Sequence, residues 1–214
     1  MSDIPPVADT PVIDLAARAA VIAAALQAEG WLALPDFLDP ALQLALLADC
    51  ERRRDQFAPA AVGRGSARRV VSDERNDVTL WLDEAIVAQQ MLLQTMVLLR
   101  EELNRRLFLG LSDYEAHYAH YAPGTFYRRH RDAFAPAPGT PPAPRRILSS
   151  VTYLNHAEGG ELVLWGQGDD EENELARVAA TAGTAVFFMS AEFPHEVLPA
   201  QSDCYLIAGW FRGR

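Results

Sequence analysis

Two histidines and one aspartate have the types and spacing of a metal site. His130 and Asp132 are separated by one residue in the run TFYRRHRD, whose residue types favour a β-strand. Because side chains at i and i+2 point to the same face of a strand, the imidazole and the carboxylate are predicted to face the same way. His195, 63 residues after Asp132 at the start of another predicted strand, could supply a third ligand. Two histidines and one carboxylate leave coordination positions open, as in non-haem Fe(II) oxygenases.

The HxD pattern alone is weak evidence, because a two-residue pattern arises by chance in many chains. The plain alternative is a surface histidine beside an ion-paired aspartate. His117 and His120 look similar in their own strand-like run, and His156 is predicted to lie in an exposed loop. The context of His130 therefore decides between the two interpretations.

Helical patterns dominate the first half of the chain. Asp14 is a predicted N-cap, and Pro40 suits the first turn of a helix. Apolar residues at helical spacing predict three helices, at Leu15–Glu29, Pro40–Phe57 and Ala85–Leu109. Pro59–Arg69 is predicted to be a loop, and Val70–Leu82 has two β-favouring ends around a polar centre, as in a hairpin.

After Gly110 the pattern changes to short β-favouring runs separated by Gly, Pro and Asp. Many short strands after a helical half favour an α+β fold, in which helices support a sandwich or barrel of strands. The Pro-rich stretch Ala135–Pro144 is predicted to be a loop or lid between two strands. We expect a single domain over residues 1–214, with a helical part over about 1–110 and a β core over about 111–214.

Composition narrows the functional classes. The 214 residues carry a formal net charge of -10, which argues against a nucleic-acid partner because such binders present a positive field. All 19 basic residues are arginine, and no lysine occurs. The start of the chain has no leader pattern and no apolar run would span a bilayer, so we expect a cytoplasmic protein without a membrane partner. Cys50 and Cys204 are expected to be reduced thiols.

Six segments, in this order and spacing, carry a resemblance to a known family. They are SDERNDVTLWL (Ser72–Leu82), YAPGTFYRRHRD (Tyr121–Asp132), RRILSSVTYLN (Arg145–Asn155), GGELVLW (Gly159–Trp165), FPHEVLPA (Phe193–Ala200) and GWF (Gly209–Phe211). Over about residues 30–214 the chain resembles the Fe(II)/2-oxoglutarate dioxygenase superfamily, and within it the prolyl 4-hydroxylases of the oxygen-sensing type and their bacterial relatives. The resemblance implies a double-stranded β-helix, or jelly roll, with the N-terminal helices packed on one sheet. It also implies that His130, Asp132 and His195 are the iron ligands and the catalytic residues.

The resemblance implies contacts to the co-substrate, 2-oxoglutarate. Tyr121 matches the tyrosine whose hydroxyl binds the co-substrate carboxylate, Tyr153 a second pocket tyrosine, and Leu162 an apolar wall. His117 lies four residues before Tyr121, on the same strand face, and is predicted to line the pocket. A satisfied core histidine is the alternative for His117.

The resemblance also implies contacts to the substrate. Arg75 and Trp81 fall in the Val70–Leu82 hairpin, which in this family closes over a protein substrate. Trp81 could equally serve ordinary packing. Arg145 and Arg146 fall at further substrate-binding positions.

One position departs from the family pattern. An arginine nine residues after the second histidine holds the distal carboxylate of 2-oxoglutarate in the family, and here that residue is Cys204. A thiol has no fixed charge, and a buried carboxylate without its cation costs about 3–5 kcal/mol. We therefore expect weakened co-substrate binding unless another residue substitutes, and Arg212 lies at the far end of the strand. Alternatively, Cys204 is a small apolar residue that fills an unused pocket.

Two functions follow from the resemblance. The first is a non-haem Fe(II)/2-oxoglutarate-dependent dioxygenase that hydroxylates a proline in a protein loop, with Fe(II), 2-oxoglutarate and O2 required and ascorbate as a further candidate. The bacterial relatives suggest a translation elongation factor as its substrate. The second is an iron-binding pseudoenzyme or protein-recognition module, in which Cys204 marks low or lost turnover. A nucleic-acid demethylase of the same superfamily fits the ligands but neither the acidity nor the hairpin.

Overall fold

The computed structural model describes residues 14–60, 73–133, 145–166 and 172–213. Within these ranges the chain forms three α-helices, one 3-10 turn and eleven strands. The helices are α1 (Leu15–Ala28), α2 (Pro40–Arg52) and α3 (Val87–Leu107), and the 3-10 turn is Arg54–Gln56. The strands are β1 (Trp31–Leu34), β2 (Ala58–Pro59), β3 (Val78–Trp81), β4 (Leu111–Tyr121), β5 (Tyr127–His130), β6 (Arg145–Tyr153), β7 (Leu162–Trp165), β8 (Glu174–Val178), β9 (Ala185–Met189), β10 (His195–Val197) and β11 (Cys204–Gly213).

The three predicted helices form, and local chemistry sets their ends. The Asp14 carboxylate accepts a hydrogen bond from a backbone amide in the first turn of α1, and Asp39 does the same for α2, which opens on Pro40. α2 is shorter than predicted, since the helix ends at Arg52 and a 3-10 turn follows it. α3 ends where Phe108 adopts a left-handed backbone with φ of 54°.

α3 forms the centre of the helical layer. Its predicted apolar stripe, Leu92, Met96, Leu99 and Leu103, is completely buried. The opposite side of the helix is exposed and mixes polar residues with apolar ones such as Val87, Met91 and Leu98. None of the described helices combines the length and the apolar character needed to cross a membrane.

The strands build two antiparallel sheets, which confirms the predicted α+β fold with a jelly-roll core. One sheet has seven strands in the order β1-β9-β6-β11-β4-β3-β2, and the other has four in the order β5-β10-β7-β8. Antiparallel sheets that pack face to face bury the inward side chains of both. The two sheets therefore enclose a space between them.

Alternation along β11 shows how the layers are arranged. Cys204 and Leu206 belong to the apolar cluster between the two sheets, whereas Tyr205 and Ile207 belong to the cluster between the large sheet and the helices. Successive side chains of a strand point to opposite faces, so one strand serves both cores. The result is three layers, with helices outside, the large sheet in the middle and the small sheet opposite.

The predicted hairpin and loops fall partly outside the described residues. Only residues 73–82 of Val70–Leu82 are described, and there β3 pairs with β2 and β4. Just before β3, Arg75 forms an isolated bridge with Tyr127. All of Ala135–Pro144 and all but the first two residues of Pro59–Arg69 lie outside the described ranges.

Two neighbouring leucines of α3 test this layering. Leu99 is completely buried, and Leu99→Ala is expected to lower the free energy of unfolding by about 2–5 kcal/mol through lost burial and a cavity. Leu98 is 54% exposed, and Leu98→Ala should change the free energy by less than about 0.5 kcal/mol. Urea unfolding of both variants measures the difference, and equal losses would contradict the assigned orientation of α3.

Candidate metal centre and its cavity

His130, Asp132 and His195 converge in the structure. Each offers one ligand atom, and these three atoms all lie within 4.8 Å of one another. The Nε2 atoms of His130 and His195 are each 3.6 Å from a carboxylate oxygen of Asp132. His195 and Asp132 are buried, and His130 is half-buried.

The three side chains come together through pairing across the small sheet. His130 ends β5 and lies directly opposite His195, the first residue of β10. Asp132 lies in a bend two residues beyond β5, so alternation along one strand is the wrong reason for its orientation. Instead, Ser149 of β6 donates a hydrogen bond of 2.7 Å from Oγ to Asp132 Oδ2, and Ser190 contacts Ser149 at 2.8 Å. The large sheet therefore positions the carboxylate.

Backbone carbonyls set the tautomers of both histidines. His130 Nδ1 lies 2.9 Å from the Arg128 carbonyl oxygen, and His195 Nδ1 lies 3.2 Å from that of Phe193. A carbonyl oxygen only accepts, so each Nδ1 donates. In a neutral imidazole this leaves the lone pair on Nε2, the atom that faces Asp132.

The electrostatics keep His195 and Asp132 in the protonation states that a metal needs. Burial, and then the neighbouring His130, lower the pKa of His195 to about 4, so its ring is neutral near pH 7. Burial opposes the charge of Asp132, but the adjacent His195, His130 and Arg146 outweigh it and hold the pKa of Asp132 well below its usual range. Arg146 Nη1 lies 3.7 Å from Asp132 Oδ1.

This donor set fits a divalent transition metal. The nitrogen-to-oxygen separations of 3.6 Å fall below the roughly 4.4 Å that two bonds of about 2.2 Å can span. Two imidazoles and one carboxylate on one side of an ion leave its remaining positions to other ligands, which is the arrangement of the non-haem Fe(II) oxygenases. His130, Asp132 and His195 could therefore hold Fe(II) without rearrangement of the fold.

A narrow cavity of about 440 Å³, part of it open to solvent, leads inward from the three ligands. Its walls are mostly apolar and come from both sheets: Ala119, Val151, Leu162, Val197, Leu206 and Ala208. Tyr121 and His117 also line it, as the resemblance implies, and so do Tyr127 and Trp210. A ligand that enters this space loses most of its water.

Tyr153 and Cys204 are set back from this lining. The Tyr153 hydroxyl donates a 2.8 Å hydrogen bond to the carbonyl oxygen of Gly160. Cys204 is completely buried, and its Sγ atom lies 3.1 Å from the point that a Cβ atom on Gly160 would occupy. Burial raises the pKa of the Cys204 thiol to about 12, so this position carries no charge.

Arg75, which the resemblance implies as a substrate contact in the hairpin, is part of the cavity wall. Its guanidinium lines the cavity, is 8% exposed, and donates from Nε and Nη2 to the two carboxylate oxygens of Asp77 at 2.8 and 2.6 Å. It also lies over the Tyr127 ring at 4.0 Å, and that ring stacks on His130 at 3.5 Å. Asp77 went unnoticed in the sequence, although i and i+2 spacing in a strand-like run could have suggested the pair.

Of the other predicted substrate contacts, Trp81 and Arg146 touch residues that line the cavity. Trp81 is 46% exposed and meets His117 edge to face at 5.2 Å. The Arg146 guanidinium lies 3.5 Å above the Trp210 ring, and Arg145 is exposed. The mouth therefore combines aromatic faces with a cation beside the metal ligands.

The remaining two histidines lie away from the three ligands. His120 Nε2 is 2.7 Å from Asp203 Oδ1, and its ring stacks on Tyr205, which faces the helical layer. His156 is exposed, as predicted. The two strand-like histidines thus differ, since His117 faces the cavity and His120 faces the other side of β4.

Comparisons with known proteins agree on the kind of site. A family model described as the 2OG-Fe(II) oxygenase superfamily matches residues 116–212. A prolyl-4-hydroxylase from Pseudomonas putida is similar, at 37% identity and a TM-score of 0.78, over 92% of this chain and 99% of that one. A search of curated proteins finds no match.

More distant solved structures share the fold. A prolyl hydroxylase from Trichoplax adhaerens, in complex with a hypoxia inducible factor oxygen degradation domain peptide fragment, is 22% identical with a TM-score of 0.77, over 92% of this chain and 90% of that one. A viral collagen prolyl hydroxylase from Paramecium Bursaria Chlorella virus-1, in a 2OG complex, is 18% identical with a TM-score of 0.63, over 88% and 98%. The two-sheet architecture is thus common to all three.

Two adjacent serines test how Asp132 is held. Ser149→Ala removes the hydrogen bond to the Asp132 carboxylate and is expected to lower metal affinity about 10- to 100-fold. Ser150 contacts the Tyr114 hydroxyl instead, so Ser150→Ala should leave metal affinity close to that of the native protein. Titration with Mn(II) measures both, and equal affinities in the two variants would contradict the assigned role of Ser149.

Acid sensitivity of folding tests the burial of His117. Burial lowers the pKa of His117 from its usual 6.5 to about 3, with the Arg75 charge acting the same way. Between these values the unfolded chain binds a proton that the folded chain does not, so stability should fall as pH drops below 6.5, by about 1.4 kcal/mol per pH unit.

In metal-free protein, replacement of His117 by leucine should remove the contribution of His117 to the pH dependence of the free energy of unfolding. Replacement of the exposed His156 by alanine should leave the slope unchanged. Urea unfolding between pH 7 and pH 5 measures both, and an unchanged slope in His117→Leu would show that His117 does not resist protonation in the folded state.

Proposed function

We propose a substrate class for this chain from the premise that it belongs to the 2-oxoglutarate/Fe(II) oxygenase superfamily and, within it, to the prolyl 4-hydroxylase family. Its members are dioxygenases that use Fe(II), 2-oxoglutarate and O2. The proposed reaction is hydroxylation of a prolyl residue in a loop of a protein substrate. It consumes one 2-oxoglutarate and one O2, and it yields hydroxyproline, succinate and CO2.

One observation carries the proposal. The ligand atoms of His130, Asp132 and His195 lie within 4.8 Å of one another at the mouth of a mostly apolar cavity. We infer that these three residues hold the iron. When bound, the iron lets 2-oxoglutarate and O2 oxidise a neighbouring C–H bond.

The residues around the iron then have separate tasks. The apolar walls exclude water, and the resemblance assigns Leu162 to such a wall and Tyr121 to the co-substrate carboxylate. Burial, and then Asp77, raise the pKa of Tyr121 well above its usual range, so the phenol keeps its proton and could donate it to a co-substrate carboxylate. Tyr153, from behind the wall, would fix the Gly160 backbone through its 2.8 Å hydrogen bond.

The mouth of the cavity suits a prolyl ring. Trp81, which is 46% exposed and lies beside Trp210, presents an aromatic ring of the kind that packs against a flat apolar ring, and Arg146 adds a donor for peptide carbonyl oxygens. Support for a peptide substrate comes from the similar Trichoplax adhaerens prolyl hydroxylase, which was solved in complex with a peptide fragment of hypoxia inducible factor. A translation elongation factor is the substrate that the bacterial resemblance suggests, with a cytoplasmic location to match.

Cys204 favours a second candidate function. A buried neutral thiol stands where the family has an arginine for the distal carboxylate, so the chain could bind iron and a proline-containing loop with little turnover. Succinate release separates the two functions, because a recognition module would bind the peptide without consuming 2-oxoglutarate.

Peptide hydroxylation tests the proposal directly. Purified protein with Fe(II), 2-oxoglutarate and O2 should add one oxygen atom to proline in at least one loop peptide of a panel that includes elongation factor loops. Each hydroxylation should release one succinate, as mass spectrometry and succinate assays would measure. His130→Ala should reduce both products to background, while His156→Ala, in an exposed loop, should leave them unchanged.

Three results would contradict parts of the proposal. Oxidation at residues other than proline would contradict the proposed substrate class. Peptide binding without succinate would favour the recognition module, and unchanged turnover in His130→Ala would remove the metal assignment.

A further inference from the structure

The distal carboxylate of 2-oxoglutarate needs a cation that Cys204 cannot supply. Its thiol is neutral and packs against Gly160 rather than lining the cavity. A carboxylate in a narrow apolar cavity without a partner binds poorly. With 2-oxoglutarate as co-substrate, another residue of this chain should hold that group.

Two other arginines, Arg212 and Arg54, form ion pairs away from the cavity. Arg212, at the opposite end of β11, donates to Asp113 and Glu115. Arg54 pairs with Asp203 and lies by Tyr205, on the helical side of the large sheet. Neither side chain lines the cavity.

Arg146 is near the cavity but serves the metal ligands. Its guanidinium lies 3.7 Å from Asp132, 3.5 Å from Glu115 and 3.5 Å above the Trp210 ring. It therefore sits at the mouth, beside the iron ligands, where it balances the charge of Asp132. Arg146 is not among the described residues that line the cavity.

Arg75 lines the cavity, and one edge of its guanidinium is not used by Asp77. Among the cavity-lining residues that the structure describes, it is the one cation. Asp77 takes the edge formed by Nε and Nη2, and Nη1 makes no hydrogen bond to any described residue. A guanidinium has a second edge, formed by Nη1 and Nη2, that can bind another carboxylate in the same bidentate way.

We propose that Arg75 replaces the missing arginine of β11 and binds the distal carboxylate of 2-oxoglutarate through its terminal edge, with the Tyr121 hydroxyl as a second donor. This assignment differs from the substrate contact that the resemblance implies for Arg75. It rests on the proposed iron and 2-oxoglutarate site, but it does not depend on which substrate is hydroxylated.

The position of Arg75 gives this anchor a further consequence. Arg75 precedes β3 in the segment that resembles the substrate-covering hairpin, and it bridges to Tyr127, which also lines the cavity. Tyr127 in turn stacks on His130. A co-substrate held by Arg75 would therefore also hold in place the segment that the resemblance assigns to the substrate.

Binding of two 2-oxo acids by Mn(II)-loaded protein tests the proposal without turnover. 2-Oxoglutarate and 2-oxopentanoate have the same chain length, but the second has a methyl group in place of the distal carboxylate. Arg75→Met combined with Asp77→Asn removes the ion pair without leaving a buried charge alone. This double variant should bind 2-oxoglutarate at least about tenfold more weakly, with 2-oxopentanoate affinity unchanged.

Two control variants sharpen the comparison. Asp77→Asn alone leaves Arg75 without its carboxylate partner, so affinity for 2-oxoglutarate should stay the same or rise. Arg54→Met removes a cation on the other face of the large sheet and should change neither affinity. Calorimetry measures all four proteins, and retained binding of 2-oxopentanoate shows that each variant is folded.

Two results would overturn the proposal. If the double variant prefers 2-oxoglutarate over 2-oxopentanoate as strongly as the native protein does, Arg75 is not the anchor. Equal affinity of the native protein for both acids would also overturn it, because no cation would then act on the carboxylate. Failure of the peptide hydroxylation assay leaves this comparison untouched, since no peptide is present.

Discussion

The buried negative charge of Asp132 is the constraint on which the site depends. Its carboxylate lies between two imidazoles, accepts a hydrogen bond from Ser149 and has Arg146 nearby. A carboxylate buried without such partners would cost several kcal/mol. The histidines come from the small sheet, whereas Ser149 and Arg146 come from β6 of the large one. The two sheets must therefore close on each other before the metal ligands exist as a set.

Along the cavity, the buried carboxylates Asp132 and Asp77 each have an arginine partner. Arg146 balances Asp132, and Arg75 balances Asp77. A co-substrate with two carboxylates brings two further charges, of which the metal can meet the first. Because position 204 on β11 is not an arginine, the proposed cation for the distal carboxylate is Arg75, which lies in the segment before β3 and not on a central strand. Co-substrate binding and the approach of the substrate then depend on the same side chain.

The residue pattern suggested the metal ligands only weakly, and the resemblance over six segments was needed to single them out from the other histidines. The structure supplies the physical reason, because pairing of β5 with β10 places His130 opposite His195. Asp132 lies beyond the strand, and its orientation depends on Ser149, which is distant in sequence. The environment of Cys204 likewise depends on Gly160, a contact between two separate segments that no local pattern encodes.

A structure of the protein with Mn(II) and 2-oxoglutarate tests the central claim most directly. We expect the metal to bind His130, Asp132 and His195. We expect the distal carboxylate to lie within hydrogen-bond distance of Arg75 Nη1 or Nη2 and of the Tyr121 hydroxyl. A distal carboxylate that points toward Cys204, or that pairs with a different arginine, would contradict the assignment of Arg75 as the anchor.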